Sequence, residues 1–197
     1  QWDQNHHLHP DERFLTMVGN AFKTPSTFIE YLNPQVSTFN PYNVGYDFYV
    51  YGALPVTINT LITNFLNINE YHTFTIFGRV LSALADTAAA LMLFITVLYW
   101  QKKVSFQNNL AWWALFFYAI TVASIQHSHF FVVDTFLTLF LYISFYFSQR
   151  VFFEKKLTYA LTSAVFFGLA VSCKISALFM APLIFYFIAR GLIQKKT

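Results

Sequence analysis

Residues 74–100, FTIFGRVLSALADTAAALMLFITVLYW, decide the fold, because these 27 positions carry only two charges, Arg79 and Asp86. A helix needs roughly 20 apolar residues to cross the ~30 Å hydrocarbon core of a bilayer, and this run exceeds that. Four more apolar runs follow, at 110–125, 130–147, 157–173 and 175–189. Several are short for a crossing, so their ends must extend into the flanks or the bilayer must thin around them. The sequence therefore predicts an all-α fold, a polytopic membrane helical bundle.

Composition agrees with that class. The chain is 56% hydrophobic and 21% aromatic, with 25 Phe and only 11% charged residues, and its mean hydropathy is +0.46. A net charge of +3 raises nucleic acid as a partner. The basic residues, however, fall in short clusters between apolar runs and form no stripe with interleaved polar surface, so membrane topology explains them and nucleic acid is excluded. The one cysteine, Cys173, lies in an apolar run and reads as a packing residue.

Lys102-Lys103, Arg150 with Lys155-Lys156, and Arg190 with Lys195-Lys196 fall at alternate ends of the apolar segments, so all three clusters share one side. By the positive-inside rule that side is cytoplasmic. The opposite, extracytoplasmic face then gathers the 1–73 loop, the His127–Asp134 turn and the Cys173-Lys174 turn. Two regions follow within one structural domain: an extracytoplasmic loop at 1–73 with an acidic motif and interfacial helices, and a transmembrane bundle at 74–197. Helices are predicted from Pro10 to about Phe22, from Thr24-Pro25 through Leu32, and from about Leu54 to Leu66. The chain opens at Gln1 with no basic n-region or apolar h-region, which reads as a fragment of a longer chain whose preceding helix is cut away.

The loops bring Asp11, Glu12, His129, Asp134 and Lys174 to one face, with Arg79 near the same level. Carboxylates and cations together suit displacement of a phosphate by a hydroxyl. A carboxylate takes the nucleophile's proton, Arg and Lys offset the charge on the departing phosphate, and a phosphodiester leaves well without a general acid. Asp11 and Glu12 are adjacent, so on a helix their side chains diverge by about 100°. One acts on the reacting atom and the other orients; the plain alternative is that both complement a helix macrodipole.

Other positions also have two readings. His7, His9 and Asp11 alternate, so an extended backbone would place them on one side as ligands for a divalent cation, or the histidines are simply solvated. Asp134 is a paired carboxylate or the cap of the next helix. Lys174 binds phosphate or snorkels to headgroups. Arg79 and Asp86, two turns apart on one helix face, read as a buried packing pair.

His9-Pro10-Asp11-Glu12-Arg13-Phe14, Tyr51-Gly52-Ala53-Leu54-Pro55, Gly78-Arg79-Val80-Leu81-Ser82, Ser128-His129-Phe130-Phe131 with Asp134-Thr135, and Lys174-Ile175-Ser176 occur in that order. This ordered set resembles the amino-terminal half of polyprenyl-phosphate-sugar-dependent glycosyltransferases, the branch of dolichyl-phosphate-mannose protein mannosyltransferases and their bacterial relatives, with the GT-C fold. The resemblance implies that the sugar moves from a polyprenyl phosphate carrier to a hydroxyl acceptor on a protein, lipid or envelope glycan. It implies Asp11 as the catalytic base beside Glu12, Asp134 as the second acidic position, and Arg79, His129 and Lys174 as groups for the lipid phosphate. It leaves a divalent metal open. The matching location is the plasma membrane of a prokaryote or else the endoplasmic reticulum, with membrane lipids as neighbours.

Two rivals come from other classes. A transporter or channel module would line a solute path with Arg79, Asp86, Asp134 and Lys174, which predicts polar groups near mid-bilayer; only Asp86 fits. A non-catalytic lipid-binding subunit would keep the cations and tolerate loss of Asp11.

Overall fold

The computed structural model describes residue 6, residues 9–105 and residues 109–193. Among them every regular element is helical, as the apolar pattern predicts. The elements are α1 (Pro10–Ala21), α2 (Phe28–Leu32), α3 (Leu54–Phe65), α4 (Tyr71–Lys103), α5 (Leu110–Ala119), α6 (Val122–Ser128), α7 (Val133–Glu154), α8 (Leu157–Cys173) and α9 (Ala181–Ile193). Short 3-10 turns at Pro41–Val44 and Ile175–Met180 join some of them.

Three stretches are long and apolar enough to cross a membrane: Tyr71–Lys103, Val133–Glu154 and Ile175–Ile193. Helix α8 is apolar but shorter. The predicted segment at 110–125 is not one rod, since α5 and α6 meet at a 60° bend. No Pro or Gly marks the break. It falls at Ile120-Thr121-Val122, three β-branched residues, and the Thr121 hydroxyl donates back to the Phe117 carbonyl at 2.7 Å, a bond that competes with the helix ladder and bends it.

Helix α7 is the axis of the bundle and packs against α4, α8 and α9. Small residues let these helices approach closely. Ser144 on α7 and Ser163 on α8 each donate to the other's backbone carbonyl, at 2.9 and 2.8 Å. Gly191 on α9 lies where a Cβ would strike the Val151 carbonyl of α7. Outward, α4, α5 and α9 expose Leu84, Leu91, Trp112, Phe116 and Phe185, side chains that suit lipid.

The amino-terminal region docks on one end of this bundle. Leu15 and Val18 of α1 and Phe22 at its C-cap join Val56 of α3, Phe74 of α4, and Phe131 in a common core. Gly19 seats the Phe74 ring and Gly78 the Phe131 ring, each with no room for a Cβ. Buried polar groups are paired across the same seam: Thr16 with Thr75 at 3.1 Å, Thr60 donating to the Gly19 carbonyl at 3.3 Å, and Asn59 Nδ2 donating to the Phe74 carbonyl at 2.9 Å. At the far end of the bundle Arg150 forks onto Glu154, which also accepts from Tyr99 of α4. The ends of α4 and α7 that carry the basic clusters are therefore together.

Candidate functional site

Helix α1 begins where Pro10 can occupy its first turn without forfeiting a hydrogen bond. His9 caps it: the Glu12 N–H donates to His9 Nδ1 at 3.4 Å, and the His9 ring lies 4.5 Å from that of Phe130. Since Asp11 and Glu12 are one residue apart on this helix, they face different surroundings.

Glu12 points into the protein. Its side chain is fully buried, and it receives Nε of Arg79 on Oε1 at 2.8 Å and Nη2 on Oε2 at 2.6 Å. Oε1 also accepts the Phe131 N–H at 2.8 Å. One carboxylate thus ties α1, α4 and the turn before α7 together. Such a charge would be prohibitive without partners, and here its partners include a fork of matching geometry. Next to it the Val132 N–H donates to Ser82 Oγ at 3.3 Å, which fixes the same turn from the α4 side.

Asp11 stays partly exposed and meets Tyr51. Burial, the neighbouring Asp11 carboxylate and the negative charge of Asp134 push the Tyr51 phenol up to about 12. Tyr51 is thereby a neutral donor over the whole neutral range, and it feels the charge of two carboxylates from distant parts of the chain. Its ring sits in an aromatic bed with Phe14 and Tyr49, at centroid distances of 6.4 and 5.9 Å.

The loop carrying Tyr51 is pinned to the end of α8. Gly52 N–H donates to the Cys173 carbonyl at 2.8 Å, and a Cβ on Gly52 would collide with the Ser172 carbonyl. The next residue after Cys173 is Lys174, whose Nζ donates to Asp134 Oδ1 at 2.8 Å; this pair is part-exposed. Asp134 lies in the first turn of α7 without acting as its cap, which is Val132.

Asp11, Tyr51, Asp134 and Lys174 accordingly share one surface, with Glu12 and Arg79 beneath it. Arg79 is buried on Glu12, and Asp86 takes the Tyr118 hydroxyl at 2.6 Å, so these two draw their close partners from other helices instead of forming a pair along α4. His129 ends α6, with Nδ1 2.6 Å from the Ile125 carbonyl, and borders an apolar hollow of about 490 Å³ walled by Val122, Ile125 and Phe130. His7 falls outside the described residues. Among those described, no group of three His, Cys, Asp or Glu side chains is arranged to hold a metal, and the His9 Nδ1 is engaged in capping α1.

Tyr51, Ser82 and the Phe131 N–H are absent from the set that sequence reasoning assembled. Tyr51 and Ser82 stand inside the ordered stretches quoted above, but a hydroxyl's partner across the fold has no signature in spacing.

A family model described as dolichyl-phosphate-mannose-protein mannosyltransferase matches residues 55–197. The matched region holds Arg79, His129, Asp134 and Lys174, while Asp11, Glu12 and Tyr51 precede it. No curated protein matches the chain, and no solved structure does.

Proposed function

We propose that this chain transfers a sugar from a lipid carrier, for it belongs to the dolichyl-phosphate-mannose-protein mannosyltransferase family. That places it among integral membrane glycosyltransferases that draw on a polyprenyl-phosphate sugar. Our reading of the reaction is transfer of one sugar to a hydroxyl acceptor at the membrane face away from the basic clusters, the extracytoplasmic face by the positive-inside rule.

The carrying observation is the division of labour between two neighbouring acids. Glu12 is consumed by Arg79 and the Phe131 N–H, whereas Asp11 remains partly exposed beside a neutral phenol, Tyr51. Asp11 is the general base. It takes the proton of the acceptor hydroxyl as that oxygen attacks the anomeric carbon; the bond from that carbon to the phosphate oxygen breaks, and its electron pair leaves with the polyprenyl phosphate.

Lys174 meets the phosphate. An ammonium has three donors, and the bond to Asp134 uses one, so the pair can hold the cation in place and still offer N–H groups to the phosphodiester and to the dianion it becomes on leaving. Asp134 positions Lys174, and Arg79 positions Glu12 and through it the Phe131 turn, so Arg79 acts behind the surface. His129 stands at the apolar hollow beside α6, which suits the first isoprenoid units of the carrier with the imidazole toward their phosphate.

Transfer from labelled polyprenyl phosphate sugars by the complete protein in proteoliposomes tests this. Wild type should transfer, and Asp11→Asn should keep donor binding while losing turnover by a hundredfold or more, on the order of what general-base catalysis contributes. Normal turnover by Asp11→Asn would sink the assignment of the base. Absence of transfer by wild type with every sugar offered would sink the function.

A further inference from the structure

A second cavity, of about 400 Å³, runs between α4, the α5–α6 bend and α7. Its walls include Asp86, Tyr118, Tyr142, Ser124, His127 and Asp134. Asp134 and Tyr142 are eight residues apart on α7, two turns and about 12 Å along its axis, so the cavity descends from the outer site toward the middle of the bundle. Asp134 joins the two sites: it holds Lys174 in the outer cluster, and it also lines the top of this cavity.

An acid as deep as Asp86, fifteen residues after the start of α4, needs either a partner or a use. The Tyr118 hydroxyl supplies one hydrogen bond at 2.6 Å, and a carboxylate has acceptor capacity for more. Asp134 is likewise satisfied by one donor and keeps lone pairs. The lining contains carboxylates, phenols, an imidazole and hydroxyls, and neither Lys nor Arg. That set is wrong for a phosphate and wrong for an isoprenoid chain. It fits a neutral ligand carrying several hydroxyl groups, whose O–H donors meet the carboxylates and whose oxygens accept from Tyr, Ser and His. The Tyr118 and Tyr142 rings, 6.3 Å apart, add flat apolar faces for the C–H side of such a ligand. A volume of this size is at the small end of ligand pockets, appropriate to a single ring.

We propose that this cavity holds the sugar of the carrier, with its anomeric carbon uppermost beside Asp134 and its remote hydroxyls on Asp86. The inference rests on the glycosyltransferase reading and adds to it the part of the chain that reads the sugar. Asp86 and Tyr118 then determine donor specificity, apart from the groups that bind phosphate or take the proton.

Equilibrium binding to the complete protein in nanodiscs tests it, with three probes: mannosyl polyprenyl phosphate, glucosyl polyprenyl phosphate and bare polyprenyl phosphate. Wild type should bind at least one sugar-loaded carrier more tightly than the bare one. Asp86→Asn and Tyr118→Phe should each cut that preference about tenfold or abolish it, the loss expected of one hydrogen bond to a charged group, and leave affinity for the bare carrier within about twofold. Retained bare-carrier binding also reports that the variants fold. Equal wild-type binding of loaded and bare carriers overturns the proposal, as does a preference that both variants retain, or equal weakening of all three probes. Sugar preference through Asp86 without any transfer would overturn the catalytic reading alone; transfer with a preference indifferent to Asp86 and Tyr118 would overturn the sugar cavity alone.

Discussion

Arg79 grips Glu12 through two nitrogens, Nε at 2.8 Å and Nη2 at 2.6 Å, across 67 positions of sequence, and the carboxylate's side chain is completely buried. Breaking a buried pair by removing one partner leaves an uncompensated charge, a cost of about 3–5 kcal/mol. Arg79→Met should therefore lower unfolding stability in detergent by roughly that amount. Arg79→Lys keeps the charge but not the fork, and should fall between wild type and Met. In the double variant Glu12→Gln with Arg79→Met the losses should be clearly less than additive. Additive losses, or an Arg79→Met protein as stable as wild type, would mean that the pair does not anchor α1.

A second contact of this kind involves backbone alone. Gly52 sits where any Cβ meets the Ser172 carbonyl, while its N–H bonds to the Cys173 carbonyl at 2.8 Å. No side-chain rotation relieves that clash. Gly52→Ala should destabilise the protein by about 1–3 kcal/mol, as overpacked sites do, and should depress turnover more than the same stability loss placed elsewhere, because Tyr51 and Lys174 lie on either side of this junction. Gly45→Ala offers the comparison: that glycine has φ near 90° with open space around it, so its alanine variant carries backbone strain but leaves the site untouched. Equal turnover in the two variants at matched stability would remove the special role of the junction.

Much of this was legible in the residues. Apolar runs with few charges dictate spanning helices whatever the tertiary contacts, and Pro10 marks the start of α1 because its missing N–H is harmless there. The divergence of Asp11 and Glu12 follows from 100° per residue, and it is what separates a buried acid from a surface one. Which acid goes inward does not follow, because it depends on Arg79 waiting 67 positions away. The α5–α6 bend was equally hidden: Thr121 bends the chain through a side-chain bond to Phe117, a choice between two acceptable hydrogen-bond patterns that a continuous apolar run does not disclose. Asp86 shows the same limit. Its spacing to Arg79 suggested a pair on one helix, whereas Tyr118 reaches it from another, and only folding decides between two partners of similar chemistry.

Asp134 and Lys174 are joined by a single 2.8 Å contact, and both side chains are partly exposed. Exposed pairs contribute roughly 0–1 kcal/mol, so Lys174→Met should leave unfolding stability nearly unchanged. Donor binding should respond differently. Loss of a charged donor to a phosphate should raise donor KM by about ten- to a hundredfold, the value of a hydrogen bond to a charged group. Asp134→Asn leaves the ammonium in place without its charged anchor, and should raise KM less. If Lys174→Met instead lowers stability strongly and leaves donor KM alone, the lysine is a structural tie between α7 and α8.

Burial and the carboxylates of Asp11 and Asp134 raise the Tyr51 phenol to about 12, and the sign of the pH response follows from that. The phenol's folded value lies above the unperturbed value near 10, so the native state holds the proton more tightly than the unfolded chain does. The resulting stabilisation is fully present below pH 10 and is lost as pH rises through about 12. Relative to Tyr51→Phe, which has no proton to lose, wild type should lose stability across that window and nowhere below it. Turnover should follow the same proton. Without the hydroxyl, Asp11 loses the donor that aims it, and kcat should fall by about tenfold, within the range that misplacement of a reacting group costs. That ratio should hold constant through the neutral range, because Tyr51 does not titrate there, and should narrow only as pH approaches 12. A ratio that changes between neutral pH and pH 10 would show that some other group sets the response, and that Tyr51 does not position the base.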